Sequence, residues 1–473
     1  MKKSTYWKSR HVCLYGIMLA LVALCFVGCK SDNEQGEEAF DPDKPIVITD
    51  FTPKKGGYGA NLVLYGENFG NELSKIDVTV GGKKAKVINV KGQSLYCIIP
   101  EKAYSGHIQV NILDDNGGII ASAESEKNLE YERKWLVSTF LGTYYPISSD
   151  FVEKEGPFDD CGGFEDIGWF SFDPKSDFDH LYVSGDQKKS RLIDFTANSG
   201  KGYVSYFSTA PATRIAAINW THDENEDMII SHNQNATPAV NAHYLFTRSS
   251  KFTTSEGLVK ARSNNGAMIH PKNGELYFSV YFEKIVYRYD FETKEVTPAF
   301  NIPNEKTSNF MIVHPTGNYA YLLCFERNYI ARTDYDWDKK CFTNPYLVCG
   351  KDNTAGWNDG VGTRALLYRP SQGVFVKNPD YAGQEDEYDF YFCEKGNHDI
   401  RMLTPRGRVS TFAGRGNNAT SGYADGDLRT EARFNEPKAI TYDEKRQCFY
   451  VGDAGNKVIR KIGKEEADEI IEK

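Results

Sequence analysis

Large aromatic residues alternate with amides, acids and bases in three segments of this chain: Tyr281-Phe282-Glu283, Phe325-Glu326-Arg327 and His232-Asn233-Gln234-Asn235. A fourth aromatic stands in Gly356-Trp357-Asn358-Asp359-Gly360. A flat ring face can cover the C–H surface of a sugar while neighbouring polar groups take its hydroxyls. Tyr281, Phe282, Phe325, Arg327, His232 and Trp357 are therefore the candidate ligand-binding residues. The competing reading is that the rings pack against neighbouring elements. For Trp357 a structural role is favoured, because Tyr423 occupies the corresponding place in a second copy of the segment.

No catalytic set is legible. Neither a Ser-His-Asp order, H-E-x-x-H nor Gly-x-Ser-x-Gly occurs in a plausible context. Asp223-Glu224-Asn225-Glu226-Asp227 begins like a calcium loop but lacks the glycine and the distal glutamate that complete one, so an acidic hairpin is expected. Of ten cysteines, Cys13, Cys25 and Cys29 belong to an N-terminal leader, and the other seven show neither zinc spacing nor a disulfide framework. No metal and no cofactor are expected.

The elements that would hold these segments follow from an internal repeat. Phe412-Ala413-Gly414, Gly422 to Gly426, Glu431 to Pro437, Phe449 to Asp453 and Gly455 to Ile462 repeat the pattern of residues 356–403. Pro370 and Pro437 lie 67 residues apart and Arg401 and Arg460 59 apart, the difference being an insertion around 379–387. A unit of this size with several short β runs cannot bury both its faces alone, which indicates stacked blades. Six blades are read over residues 135–463, each with an inner, second, third and outer strand. The sixth lacks an outer strand. Val137-Ser138-Thr139-Phe140-Leu141-Gly142 nearly repeats Val409 to Gly414, the outer strand of blade five, but has no inner strands before it. Placing strand 137–140 on blade six closes the ring and removes an exposed edge. The aromatic segments then fall in loops between second and third strands, at one end of the ring. Asp359 and Asp425, each before a glycine, are expected to cap turns. Arg401 and Arg460 are expected to pair with acids between blades.

The repeat resembles the NHL repeat, a β-propeller family. Residues 45–133 read as short alternating strands, with Pro53, Gly56 and the Gly66-Glu67-Asn68-Phe69-Gly70 turn, and resemble an IPT/TIG domain, an immunoglobulin-like sandwich found both as a spacer and as an interaction module. The fold class is all-β: an IPT/TIG sandwich followed by a six-bladed NHL-type propeller. Residues 1–28 carry a basic leader and an apolar run, 12–27, too short to span a membrane comfortably, consistent with a signal peptide. Phe26-Val27-Gly28-Cys29 resembles a bacterial lipobox, which implies a lipid on Cys29. Residues 29–44 form a polar tether and 464–473 an acidic tail. The whole resembles the surface lipoproteins of glycan-utilisation systems in Bacteroidetes. That resemblance implies a polysaccharide or oligosaccharide ligand, an outer-membrane importer as partner and an outer-membrane location facing the cell exterior.

Loss of four positive charges with residues 1–28 takes the formal net charge from −9 to about −13. That argues against nucleic acid and against an anionic membrane surface, leaving the lipid as the only membrane contact. It also disfavours a highly anionic glycan, unless a local basic patch overrides the global field. Two alternatives stay open. Six-bladed propellers host lactonases and lyases, which usually hold a metal in the channel with inner-strand carboxylates and amides; the inner-strand starts here supply few such groups, though Glu165, Asp166 and Asn309 sit just before them. A protein-binding adhesion module could use the propeller face as a flat platform.

Cys29→Ala is expected to abolish palmitate labelling and to release the protein from membranes. Labelling and membrane partition that persist in the variant would refute the lipoprotein reading.

Overall fold

The computed structural model describes residues 39–185, 190–233, 240–262, 264–304, 306–416 and 420–465. Cys29, the leader, most of the tether and nearly all of the acidic tail lie outside them, as do loop residues 186–189, Gln234 and Asn235. The described chain forms two compact units that divide between Lys134 and Trp135.

The first unit is a β-sandwich whose seven main strands are Val47–Thr52, Asn61–Glu67, Ile76–Val80, Lys83–Lys91, Ser94–Ile98, Ile108–Leu113 and Ile119–Glu124. Alternation puts Leu62, Leu64, Val78, Val80, Leu95, Cys97, Ile108 and Val110 into its core. The Gly-x-Asn-Phe-Gly turn has a clear physical role. Phe69 is buried, while Asn68 takes a left-handed φ of 62°. Its side-chain amide accepts from the Asp41 N–H at 2.8 Å and donates to the Asp41 and Lys44 carbonyls at 2.8 and 2.7 Å. A Cβ at Gly66 would lie 1.9 Å from the Val47 carbonyl oxygen, so only glycine lets the first two strands meet there.

The second unit is a ring of six antiparallel sheets. Their inner strands are Trp169–Phe172, Ile215–Trp220, Asn264–Ile269, Asn309–Val313, Pro370–Lys377 and Pro437–Asp443. Second strands are the most buried, as in Leu276–Val280, Tyr319–Cys324 and Cys448–Asp453. Such strands carry apolar residues on both faces because a blade lies on each side. Cys97, Cys324, Cys393 and Cys448 are buried free thiols within or against these cores, and burial pushes the thiols of Cys97 and Cys324 up to about 12. Trp135–Leu141 pairs antiparallel with Val458–Lys464 as the outer strand of blade six, with Val137 opposite Ile462 and Thr139 opposite Arg460.

Buried arginines lock the blades to the loops that precede them. Arg401, fully buried on the third strand of blade five, donates to Glu394 at 2.6 Å and to Asp359 at 2.9 Å. Arg460 repeats this in blade six, donating to Asp453 at 2.9 Å and to Asp425. Asp359 and Asp425 thus receive guanidinium groups rather than capping their own turns. Asp425 also accepts the Thr139 N–H at 3.1 Å, which ties the closing strand to this lock. Arg191 of blade one holds Glu153 at 2.9 Å in the same way, in a segment where no repeat is visible. Each arginine is almost wholly buried, and its partners satisfy a charge that would otherwise be costly to bury. Asn397 and Asn456 brace the same loops, donating to the Gly356 and Gly422 carbonyls at 2.8 Å.

Deleting residues 135–141 is expected to expose two sheet edges and to cost several kcal/mol, on the order of a third or more of a typical domain's stability. A deletion variant that melts within about one or two degrees of the parent would contradict this role.

Candidate functional site

The inner strands of the six blades surround a central channel that is closed midway. Trp169 of blade one and Phe310 of blade four stack across it, ring centroids 6.2 Å apart and planes 9° from parallel. The Trp169 indole N–H donates to the Ile218 carbonyl at 3.2 Å, fixing the ring. Beside this pair, the Gln372 amide of blade five receives the Phe170 N–H at 2.8 Å and donates to the Phe170 carbonyl at 2.7 Å. Two chambers result. One opens at the end where the inner strands begin and has a volume of about 360 Å³. The other, about 450 Å³, opens at the opposite end and is lined mainly by apolar side chains such as Trp220, Met268, Met311 and Phe375.

The first chamber is a blind pit to which every blade contributes. Its wall includes Asp166 and Gly168 of blade one, Arg214 and Asn233 of blade two, and Asn265 of blade three. Ser308, Phe310 and Phe325 come from blade four, Lys395 from blade five and Lys438 from blade six. Several inter-blade connections turn through a left-handed residue just before the inner strand: Arg214, Lys306, Arg369 and Glu436, with φ between 52° and 57°. The Arg214 carbonyl accepts the Asn233 N–H at 2.9 Å, and that of Arg369 accepts the Lys395 N–H at 3.1 Å, so these turns pin the loops of the rim. A Cβ at Gly168 would stand 2.9 Å from the Ser184 hydroxyl and 3.7 Å from Lys438 Nζ, so glycine keeps this wall open.

Of the residues singled out in the sequence, Phe325 lines the pit. Its ring lies 5.9 Å from that of Phe310, with the Arg369 guanidinium 5.8 Å away on the rim. Tyr281 and Phe282 lie in the corresponding loop of blade three, outside the lining. Phe282 is exposed under the Arg262 guanidinium at 4.9 Å, and Tyr281 meets Phe282 edge to face at 5.1 Å. Arg327 is held by a two-pronged pair with Asp352, both bonds 2.7 Å. His232 is buried, contacts Thr213 Oγ1 at 3.0 Å, and is driven towards its neutral form by burial. Trp357 donates its indole N–H to buried Asp399 at 3.0 Å, leaving its ring partly exposed.

Asn233 and Lys395 lie in loops between second and third strands, where the sequence places the ligand face; the pit residues that the sequence did not reveal are Arg214, Asn265, Ser308 and Lys438. Each lies in a different local context, and only ring closure brings them together. Asp223 accepts the N–H groups of Asn225 and Glu226 at 2.9 Å, forming the expected acidic hairpin. Among the described residues, no group of three or more His, Cys, Asp or Glu side chains is arranged to hold a metal ion. Asp166 lines the pit, whereas Asn309 is buried with its amide donating to the Thr307 carbonyl at 3.3 Å.

Residues 45–131 match the IPT/TIG domain. The chain is 51% identical to a solved Bacteroides thetaiotaomicron structure described as an auxiliary nutrient binding protein, over 90% of this chain and 100% of that one, with a TM-score of 0.79. A Bacteroides ovatus structure of the same description is 42% identical over 90% of this chain and 100% of that one, with a TM-score of 0.73. A third, from B. thetaiotaomicron and described as a candidate phosphatase, is 36% identical over 92% of this chain and 100% of that one, with a TM-score of 0.80. Human NHL repeat-containing protein 2 is 32% identical over 105 residues, which are 22% of this chain and only 13% of that protein. The repeat, the sandwich and whole-length relatives lead to one assignment: the chain belongs to the Bacteroides family in which an IPT/TIG domain precedes a six-bladed NHL-type β-propeller.

Proposed function

We propose that this chain is an outer-membrane lipoprotein, anchored through Cys29 and facing the cell exterior, that binds polysaccharide or oligosaccharide at the propeller pit and leaves it intact. The observation that carries this reading is the pit itself. It sets the aromatic rings of Phe325 and Phe310 beside the amides of Asn233 and Asn265 and the hydroxyl of Ser308. Rings that cover a sugar face and polar groups that take its hydroxyls are the two components such a ligand requires. A volume of about 360 Å³ and a closed floor suit a chain end or a branch rather than a threaded strand. Relatives described as auxiliary nutrient binding proteins support a binding role. The tether would link the lipid to the folded chain, the sandwich would serve as a spacer module, and an outer-membrane importer would receive the captured glycan.

Phe325→Ala is expected to weaken glycan binding several-fold, equivalent to about 1 kcal/mol for one lost ring contact. Tyr281→Ala and Phe282→Ala, outside the pit, should have smaller effects. Calorimetry against a polysaccharide panel, with product analysis, measures this. Shortened, unsaturated or ring-opened products would establish a propeller enzyme instead. Retention of a protein partner with no glycan bound would establish an adhesion module.

A further inference from the structure

The pit has a charge pattern that the whole chain does not share. Three cationic side chains, those of Arg214, Lys395 and Lys438, line it against one carboxylate, Asp166. Lys395 is paired with Glu436 at 3.2 Å. Arg214 and Lys438 have no ion-pair partner among the described residues, although this chain carries 65 acidic residues against 56 basic ones. Some propeller cations are matched, such as Arg327 with Asp352, Arg446 with Asp179 and Asp443, and Arg248 with Asp173; others, such as Arg262 and Arg369, lie over aromatic rings on more open surface. What sets Arg214 and Lys438 apart is that they converge from different blades on one concave site, where an anion could meet both. Clefts with low-dielectric walls concentrate such a field locally, whatever the net charge of the molecule.

A second observation points the same way. Asn265 is 7% exposed, lines the pit, and its side-chain amide has no hydrogen-bond partner among the described residues. The Asn265 amide is not among the sealed, unpartnered groups of the interior, and beside two unpaired cations it offers a ligand a donor and an acceptor. Carboxylates and sulfates accept several charge-assisted hydrogen bonds at once, which is the chemistry that Arg214, Lys438 and the Asn265 amide together provide.

We infer that the pit takes an acidic sugar residue, one bearing a carboxylate or a sulfate, so that the ligand is an anionic glycan. This rests on the glycan-binding reading and narrows it, against the expectation from net charge alone. Calorimetric titration of the full chain should use galacturonan oligosaccharides and sulfated galactan oligosaccharides, each beside its carboxyl-reduced or desulfated counterpart. At least one acidic form should bind, and whichever pair responds tells carboxylate from sulfate. Neutralising that acid should weaken binding about ten-fold or more, and affinity should fall as salt rises. Arg214→Gln and Lys438→Gln should each weaken binding by about ten-fold with the melting temperature unchanged, while Lys438→Arg should stay within about three-fold of the parent. If neutral counterparts bind as tightly and the Gln variants are indifferent, the acidic-sugar inference falls and glycan binding stands. If the chain binds none of the acidic or neutral glycans, both fall.

Discussion

A ring of sheets is stable only when no blade is left with a bare edge, and here that condition is met by a strand borrowed from the other end of the propeller sequence. Trp135–Leu141 lies against Val458–Lys464, and the Thr139 N–H reaches Asp425, which also receives the buried Arg460 guanidinium. The closing strand is therefore tied into the same charge lock that fixes the loop before blade six. Everything at the centre follows from closure. The pit residues span Asp166 to Lys438, and six inner strands meet around one axis only because the first and last blades are joined.

The floor of the pit is equally a product of the ring. Trp169 and Phe310 come from opposite blades, and Gln372 bonds both backbone groups of Phe170 from a third. These contacts turn a through-channel into two chambers with different chemistry. The entrance chamber is cationic and amide-rich, whereas the far chamber is mostly apolar. On the proposed reading, a closed floor would also supply low-dielectric backing, so that Arg214 and Lys438 would act on an anionic ligand more strongly than exposed lysines would.

The architecture was legible because blades five and six are near copies and because Val137 to Gly142 resembles Val409 to Gly414. The repeat marks residues that hold blades to loops, such as Arg401, Arg460, Asn397 and Asn456, and the structure shows each in that role. The same lock at Arg191 and Glu153 has no sequence signature, since Glu153 lies in a stretch with no repeat to align it. The residues of the pit were legible only in part. The loop Phe325-Glu326-Arg327 supplies Phe325, which lines the pit, and Arg327, whose guanidinium is engaged by Asp352; Trp357, for which the repeat favours a structural role, donates to Asp399. Arg214, Asn265, Lys395 and Lys438 carry no local signature. Their common property is position at the entrance end of four different blades, and that is a fact of the closed ring rather than of any window of sequence.

The central claim is that the pit at the start of the inner strands is the ligand site. Amide hydrogen exchange of the full chain, with and without saturating glycan oligosaccharide, tests it without perturbing a residue. Binding should slow exchange at the rim of that pit, around residues 214–216, 264–266, 308–310, 325 and 395, and leave the sandwich and the far chamber unchanged. Protection confined to the far chamber, or to the sandwich, would contradict it.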